Sequence, residues 1–428
     1  MSPTFTSLEV RNYRLWAAGA LVSNIGTWMG RVGQDWLVLT QLTDHSSSAL
    51  GIVTGLQFLP FLLLAPVTGM IADRFSKRRI LLTTQSLLGI SALVLAVLTL
   101  TGHVELWHVY LIAFLQGVAT AVDNPARQSF VSEMVPKDRL ANAVALNSAS
   151  FNAGRLVGPA VAGLVIAALG TGWALLVNGL SFAFVLASLL AMRVRDLSPA
   201  PRARGKGQIR QGLAYVRSRP DVMLVMALVF VLGTFGMNFQ ITTALMATKE
   251  FHEGPTGYGM LGSIMAIGSL AGALLAARRK TPRLRILLLA LAGFTVSTAI
   301  GALAPTYEIF ALALIPIGLS SLTALTTANA MVQLSVDPQM RGRVMALYMA
   351  VFMGGTPVGA PIIGWIGDVL GARWTIGIGT LAVGLSLVAV AVYLRRRENV
   401  RVHYESHHRP RFSITKDPVD RPVPEAVR

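Results

Sequence analysis

The 428-residue chain contains no cysteine, which excludes disulfides, thiolate metal sites and cysteine nucleophiles together. Charge is also scarce: Asp, Glu, Lys and Arg make up 13% of residues, against about a quarter in a soluble domain. Acid is the rarer sign, with 20 carboxylates against 37 Lys and Arg and a net charge of +17. A nucleic-acid-binding protein concentrates such an excess on one soluble face. Here the basic residues fall in short segments between long apolar runs, so no nucleic-acid partner is expected. There is no Walker loop, histidine metal cluster or serine elbow. The histidines, at 45, 103, 108, 252, 403, 407 and 408, lie in loops, near helix ends or in the tail. Neither an enzyme nor a metal or cofactor is expected. The N-terminus has no short apolar core followed by a small-residue cleavage site, so no removable signal peptide is expected.

What remains is apolar. Hydrophobic residues make up 53% of the chain, and stretches of about 20 residues, enough to cross a roughly 30 Å hydrocarbon core, recur about twelve times. The expected spans are 15–40, 49–71, 80–101, 106–122, 141–169, 173–192, 222–247, 257–277, 285–304, 308–328, 344–367 and 375–394. The basic segments "DRFSKRR", the linker from Arg193 to Asp221, "RRKTPRLR" and the "RRR" opening the tail all fall on one side. The segments on the other side carry only Lys249 and Arg373. The positive-inside rule then predicts a multi-pass protein of the plasma (inner) membrane with both termini cytoplasmic. The organisation expected is an N-terminal half (1–192), a basic linker (193–221), a C-terminal half (222–397) and a proline-rich, polar, disordered tail (398–428).

The halves repeat one another. "ALNSASFNAGRLVGPAVAG" at 145–163 aligns with "ALYMAVFMGGTPVGAPIIG" at 346–364, and the register continues to Gly170 and Trp173 opposite Gly371 and Trp374. Many transporters are built from parallel repeats of this kind, related by an axis along the membrane normal.

The loop "GMIADRFSKRRIL" has the spacing Gly-x-x-x-Asp-Arg-x-x-x-Arg-Arg from Gly69 to Arg79. With the repeat and the basic linker, it resembles the major facilitator superfamily over residues 10 to 397. The resemblance implies an all-α membrane protein of twelve transmembrane helices in two six-helix halves with pseudo-two-fold symmetry. It also implies a conformational latch at Gly69, Asp73, Arg74, Arg78 and Arg79, with Asp73 closing a charge network between the halves. The second-half counterpart has no acid, which implies a weaker latch there. "DNPARQSFVSEMVP" follows the fourth span, with Pro125 near a helix end, and Asp123 and Arg127, four residues apart, either join that network or form a local pair. "NAGRLVGPAVAG" places Gly154, Gly158, Pro159 and Gly163 in the fifth span. This is similar to the Gly-Pro signature of the superfamily's antiporters, although the final glycine is displaced by one position. Simple close packing is the alternative. Together with "TWMGRVGQDWLVLTQLT", these stretches look like the branch that includes the enterobactin exporter and macrolide efflux proteins. The Arg-x-x-Gln-Gly pattern of proton-coupled members is incomplete, since Gln116 and Gly117 follow Ala113.

The coupling charge is therefore sought elsewhere. At about 100° per residue, Asn24, Thr27, Arg31, Gln34 and Asp35 share one face of the first span. Charges at membrane depth face a cavity and find partners. Arg155 is the other cation at that depth in the first half, and the resemblance implies that the first span lines the central cavity with the fifth packed nearby, so Asp35 is expected between Arg31 and Arg155, either taking up and releasing a proton or held as a permanent ion pair. Gln57, Gln116, Asn147, Asn178, Phe235, Asn238, Phe239, Gln240 and Asn329 are further cavity candidates; each alone is more often a residue of helix–helix packing or a buried hydrogen bond. The function expected is secondary transport: proton-driven efflux, by antiport, of a hydrophobic or amphipathic small molecule such as a drug, macrolide, siderophore or metabolite, by a monomer working with protons in the lipid bilayer. An importer or facilitator on the same fold is the alternative, and a membrane-embedded enzyme a remote one.

Overall fold

The computed structural model describes residues 3–198, 208–277, 282–337, 340–398, 400–405 and 411–416. Before the linker the chain forms α1 (Arg11–Leu37), α2 (Ser47–Arg74), α3 (Lys77–Leu100), α4 (Leu106–Met134), α5 (Leu140–Leu169) and α6 (Thr171–Ala191). A short helix in the linker, α7 (Gln208–Arg217), precedes α8 (Pro220–Val231), α9 (Phe239–Leu245), α10 (Pro255–Ala277), α11 (Leu284–Ala302), α12 (Tyr307–Ser335), α13 (Arg341–Gly354), α14 (Thr356–Leu370) and α15 (Ala372–Glu398). Among the described residues, eleven helical stretches are long and apolar enough to cross a membrane, with α8–α9 and α13–α14 each counting as one. Helix α1, whose polar stripe lowers its hydropathy, packs along α5 and α6 in the same layer.

Five expectations need correction. The fourth span does not stop at residue 122: α4 runs on to Met134 with Pro125 inside it. The polar residues that suggested a loop are satisfied within the bundle, because Asp123 accepts hydrogen bonds from Thr84 and Gln85 of α3. Helix α12 likewise extends to Ser335. The seventh span, expected as one continuous helix, is broken. A π-helical turn at Leu232–Gly236 leads into non-helical backbone at Met237 and Asn238. There the Asn238 amide donates to the Thr234 carbonyl at 2.7 Å, supplying a partner that the break removes. The eleventh span breaks at Gly355, where Thr356-Pro357 begins α14 and Gly355 and Gly359 lie against Thr234. In the tail, Val400–Glu405 (β1) pairs antiparallel with Arg411–Lys416 (β2), where disorder was expected.

The aligned glycines behave alike: Gly170 and Gly371, at φ 96° and 97°, each join one helix to the next at the end away from the basic loops. That backbone conformation is open to glycine and costly for other residues.

The same end holds the helices before and after the linker together. Asp368 of α14 accepts from the backbone N–H of Ser47 (2.7 Å) and Ser48 (2.9 Å) and from the Ser46 hydroxyl (3.2 Å), capping α2 across the interface, with Lys249 at 3.5 Å. Gly51 and Gly55 of α2 allow Ala360 and Pro361 of α14 to approach closely. The hydrogen bonds described between the two sets of helices lie toward this end, so the molecule is latched here. Replacing Asp368 with Ala removes a cap worth about 1 kcal/mol, roughly a fivefold shift in an opening equilibrium. Maleimide labelling of Ser47→Cys, fully buried in this state and unique in a cysteine-free chain, is expected to quicken by that factor.

Candidate functional site

The polar stripe of α1 faces a cavity of about 350 Å³. Asn24, Thr27, Arg31 and Gln34 line it from α1, with Gln57, Gln116 and Asn178 from α2, α4 and α6. Trp28, Phe58, Phe61, Phe151 and Phe182 provide the apolar wall. The sequence reading missed these aromatics and Gln85 of α3. Gln85 carried the same signal as Gln57 and Gln116, an amide in an apolar helix, while an aromatic residue in such a helix is as often packed as exposed to a ligand.

Other candidates lie elsewhere. Asn147 and Asn329 are half-buried on α5 and α12. Phe235 sits in the π-helical turn, Asn238 serves the broken backbone beside it, and Phe239 meets Phe294 edge-on at 6.2 Å. Gln240 leads instead to Asp35.

Asp35 is 2% exposed and among the described residues forms no ion pair at contact distance; of the expected bracket Arg31 acts on it electrostatically from one turn away, and no interaction with Arg155 is described. Its Oδ2 accepts from the Tyr258 hydroxyl at 2.8 Å and from the Gln240 amide at 3.4 Å. Both donors come from beyond the linker, and Trp36 stacks on Tyr258 with ring centroids 6.4 Å apart. The break in the seventh span positions α9, and with it Gln240, against α1. Tyr258, in the first turn of α10, went unrecognised because its only signal was a polar tip on an apolar segment. The Arg31 and Arg155 guanidiniums lie against the Trp28 ring, at 4.9 and 5.7 Å from its centroid.

The fifth-span glycines make this junction possible. A Cβ at Gly154 would meet the Asn24 backbone at 2.8 Å, and one at Gly158 would meet the Ile25 carbonyl at 2.8 Å, so α5 lies directly against α1. On the other side of α5, Gly163 and Pro159 contact Pro255 and Gly259 of α10. The Gly-Pro segment is thus the point where α1, α5 and α10 converge.

At the basic end the latch residues separate. Arg78 Nε donates to the Leu189 carbonyl of α6 at 2.8 Å, whereas Arg74 and Arg79 are exposed. The side chains of Gly69 and Asp73 lie outside the described residues. Asp123 is buried, with Thr84 Oγ1 and Gln85 Nε2 each at 2.7 Å and Arg127 Nε at 2.8 Å. Arg127 also lies over Trp16 at 5.3 Å. A second ion pair, Lys77–Glu133 at 2.7 Å, ties α3 to α4 below it.

The family model for transmembrane secretion effectors, a branch of the major facilitator superfamily, matches residues 2–423. The chain belongs to that family. It is similar to the staphyloferrin A transporter of Staphylococcus aureus, 24% identical over 388 residues that cover 90% of this chain and 96% of that protein. Macrolide efflux protein A of Streptococcus pyogenes is 22% identical over 394 residues, with the same coverage. Among solved structures, a bacterial homologue of the human lysosomal transporter Spinster shares the fold at a TM-score of 0.66 and 15% identity, covering 92% of this chain and 95% of that one. This major facilitator protein is a multi-pass transporter of small molecules in the cell membrane, and no enzyme.

The Asp123 cluster generates a stability prediction. Asp123→Ala strands the Arg127 guanidinium and two polar side chains, and loss of one partner from a buried pair costs about 3 kcal/mol. A fall in the thermal midpoint in detergent, clearly smaller for Asp123→Asn, is the expected result.

Proposed function

We propose that the protein exports a hydrophobic or amphipathic small molecule by proton antiport, with Asp35 as the proton-carrying group. The observation that carries this reading is the Asp35 carboxylate, buried at the contact between the two sets of helices and held by Tyr258 and Gln240. Alternating access separates those helices. The proton affinity of a carboxyl group follows its solvation and its partners. A cycle that exchanges Tyr258 and Gln240 for water and the neighbouring Arg31 therefore changes how tightly Asp35 holds a proton, and links each proton to one reorganisation.

On this reading α1 is a twelfth membrane span, the glycines at 170 and 371 mark equivalent corners of two pseudo-symmetric six-helix halves, and the basic end is cytoplasmic with both termini on that side. The latch at the other end then leaves the cavity serving the cytoplasm, the side from which an exporter loads. The efflux protein among the relatives supports the direction of transport. The protein acts as a monomer driven by the proton gradient, with no cofactor.

The test is accumulation of a panel of antibiotics and dyes in efflux-deficient cells, with wild type and Asp35→Asn at equal abundance. For any compound that wild type expels, Asp35→Asn is expected to lose uphill efflux by roughly tenfold or more, equivalent to at least about 1.4 kcal/mol of lost driving interaction. Downhill exchange in proteoliposomes persists. Uphill efflux by Asp35→Asn at the wild-type rate overturns the assignment.

A further inference from the structure

Resting on the reading of the cavity as the substrate site, we infer that the substrate is an amphipathic organic anion whose acidic head group binds Arg31, with Arg155 close by.

The charge balance of the cavity leads there. Three charged residues line it: Arg31, Asp123 and Arg127. Asp123 and Arg127 neutralise one another at 2.8 Å. Among the described residues Arg31 has no hydrogen bond and no ion pair at contact distance; it rests on the Trp28 face and interacts electrostatically with Asp35 one turn away. Asp35, one turn further along α1, gives its Oδ2 to Tyr258 and Gln240. Arg155 rests on the same indole, and among the described residues it too has no carboxylate partner. Two guanidiniums are thus gathered around one aromatic ring at membrane depth, and among the described residues Asp35 is the one carboxylate that acts on either, which leaves the group with one positive charge in excess. A cation at that depth is costly unless something of opposite charge completes the site, and a guanidinium's fork of donors matches carboxylate, sulfonate or phosphate oxygens.

Independent polar atoms in the same cavity also await a ligand. Gln34 Nε2, Asn178 Oδ1 and Gln85 Oε1 have no hydrogen-bond partner, although their residues are only 3%, 7% and 0% exposed. Buried polar groups are rarely left unpaired. The three residues line the cavity, so a turn of each side chain offers one donor and two acceptors to hydroxyl or amide groups on the ligand's body. The aromatic wall accommodates an apolar, ring-containing body, and about 350 Å³ is the size of a drug-like ligand.

The same arrangement gives Arg31 two alternative anions. In the present state Asp35 is engaged across the interface and Arg31 is open to substrate. When that contact breaks, Asp35 is free to turn to Arg31 and displace the head group.

The test is equilibrium binding to the full chain in nanodiscs at neutral pH with no gradient, using pyrenebutyrate, pyrenebutanol and pyrenebutylamine, which share a body and differ in the head group. The carboxylate is expected to bind about tenfold or more tightly than the alcohol, as a charge-assisted hydrogen bond to a buried guanidinium provides, and the amine more weakly than either. Arg31→Gln is expected to abolish the preference while leaving the alcohol's affinity within about twofold, and Arg31→Lys to restore part of it. The alcohol acts as the control for an intact cavity. A carboxylate that binds no better than the alcohol, including no measurable binding of either, overturns the proposal, as does an Arg31→Gln protein that keeps the preference. The assay has no gradient and uses the wild-type Asp35, so failure of anion selection is read here and failure of proton antiport in the Asp35→Asn efflux assay.

Discussion

A charge withdrawn from water has to be matched inside the protein, and in a membrane it has few places to find its match. Asp35 finds it in a hydroxyl and an amide that lie 223 and 205 residues along the chain. That contact lies where the two sets of helices meet, between the α2–α14 and α5–α10 packings. Because its partners come from the far side of the interface, the carboxylate is fully satisfied only while the helices stay together at this end. The seal around it is built from the same kind of interaction: Asp368 caps a helix that begins on the opposite side of the interface. Both are polar contacts that can be exchanged for water, which suits an interface that must open.

The packing that allows this is made by glycine. Without a Cβ at Gly154 and Gly158, α5 approaches the α1 backbone closely, and Gly163 and Gly259 do the same between α5 and α10. Small residues matter more in a bilayer than in water, since lipid chains offer no hydrophobic incentive for helices to associate and close contact has to supply it. The Gly-Pro segment therefore has a structural role that stands whatever transport direction the protein uses. It holds the helix carrying Asp35 against the helix carrying Tyr258.

Arg31 and Asp35, adjacent on one helical face, end in different environments. The carboxylate turns to the partner helices and the guanidinium to the cavity and Trp28. Their separation leaves a positive, aromatic and amide-lined space within the first six helices, while the second set of helices closes it on one side. The cavity and the interface contact thus draw on neighbouring residues of one helix but on different parts of the molecule.

Much of the architecture was legible in the sequence because membrane helices announce themselves by length and apolarity, and because the repeat kept its register through Gly170 and Gly371. The polar stripe of α1 was legible too, since a charge in an apolar segment has to face something. What could not be read was the identity of that something. Periodicity fixes a direction around one helix and says nothing about which residue of a distant helix lies there, so Arg155 was paired with Asp35 when Tyr258 and Gln240 were its partners. The breaks at Gly236–Asn238 and Gly355 were hidden as well, because a span's average hydropathy does not report a local interruption of its helix. By itself the sequence determined a bundle of apolar helices with a polar face on the first. Only the tertiary structure decided which polar groups on different helices met, because a buried hydrogen bond is specified by two surfaces and each sequence segment describes only one.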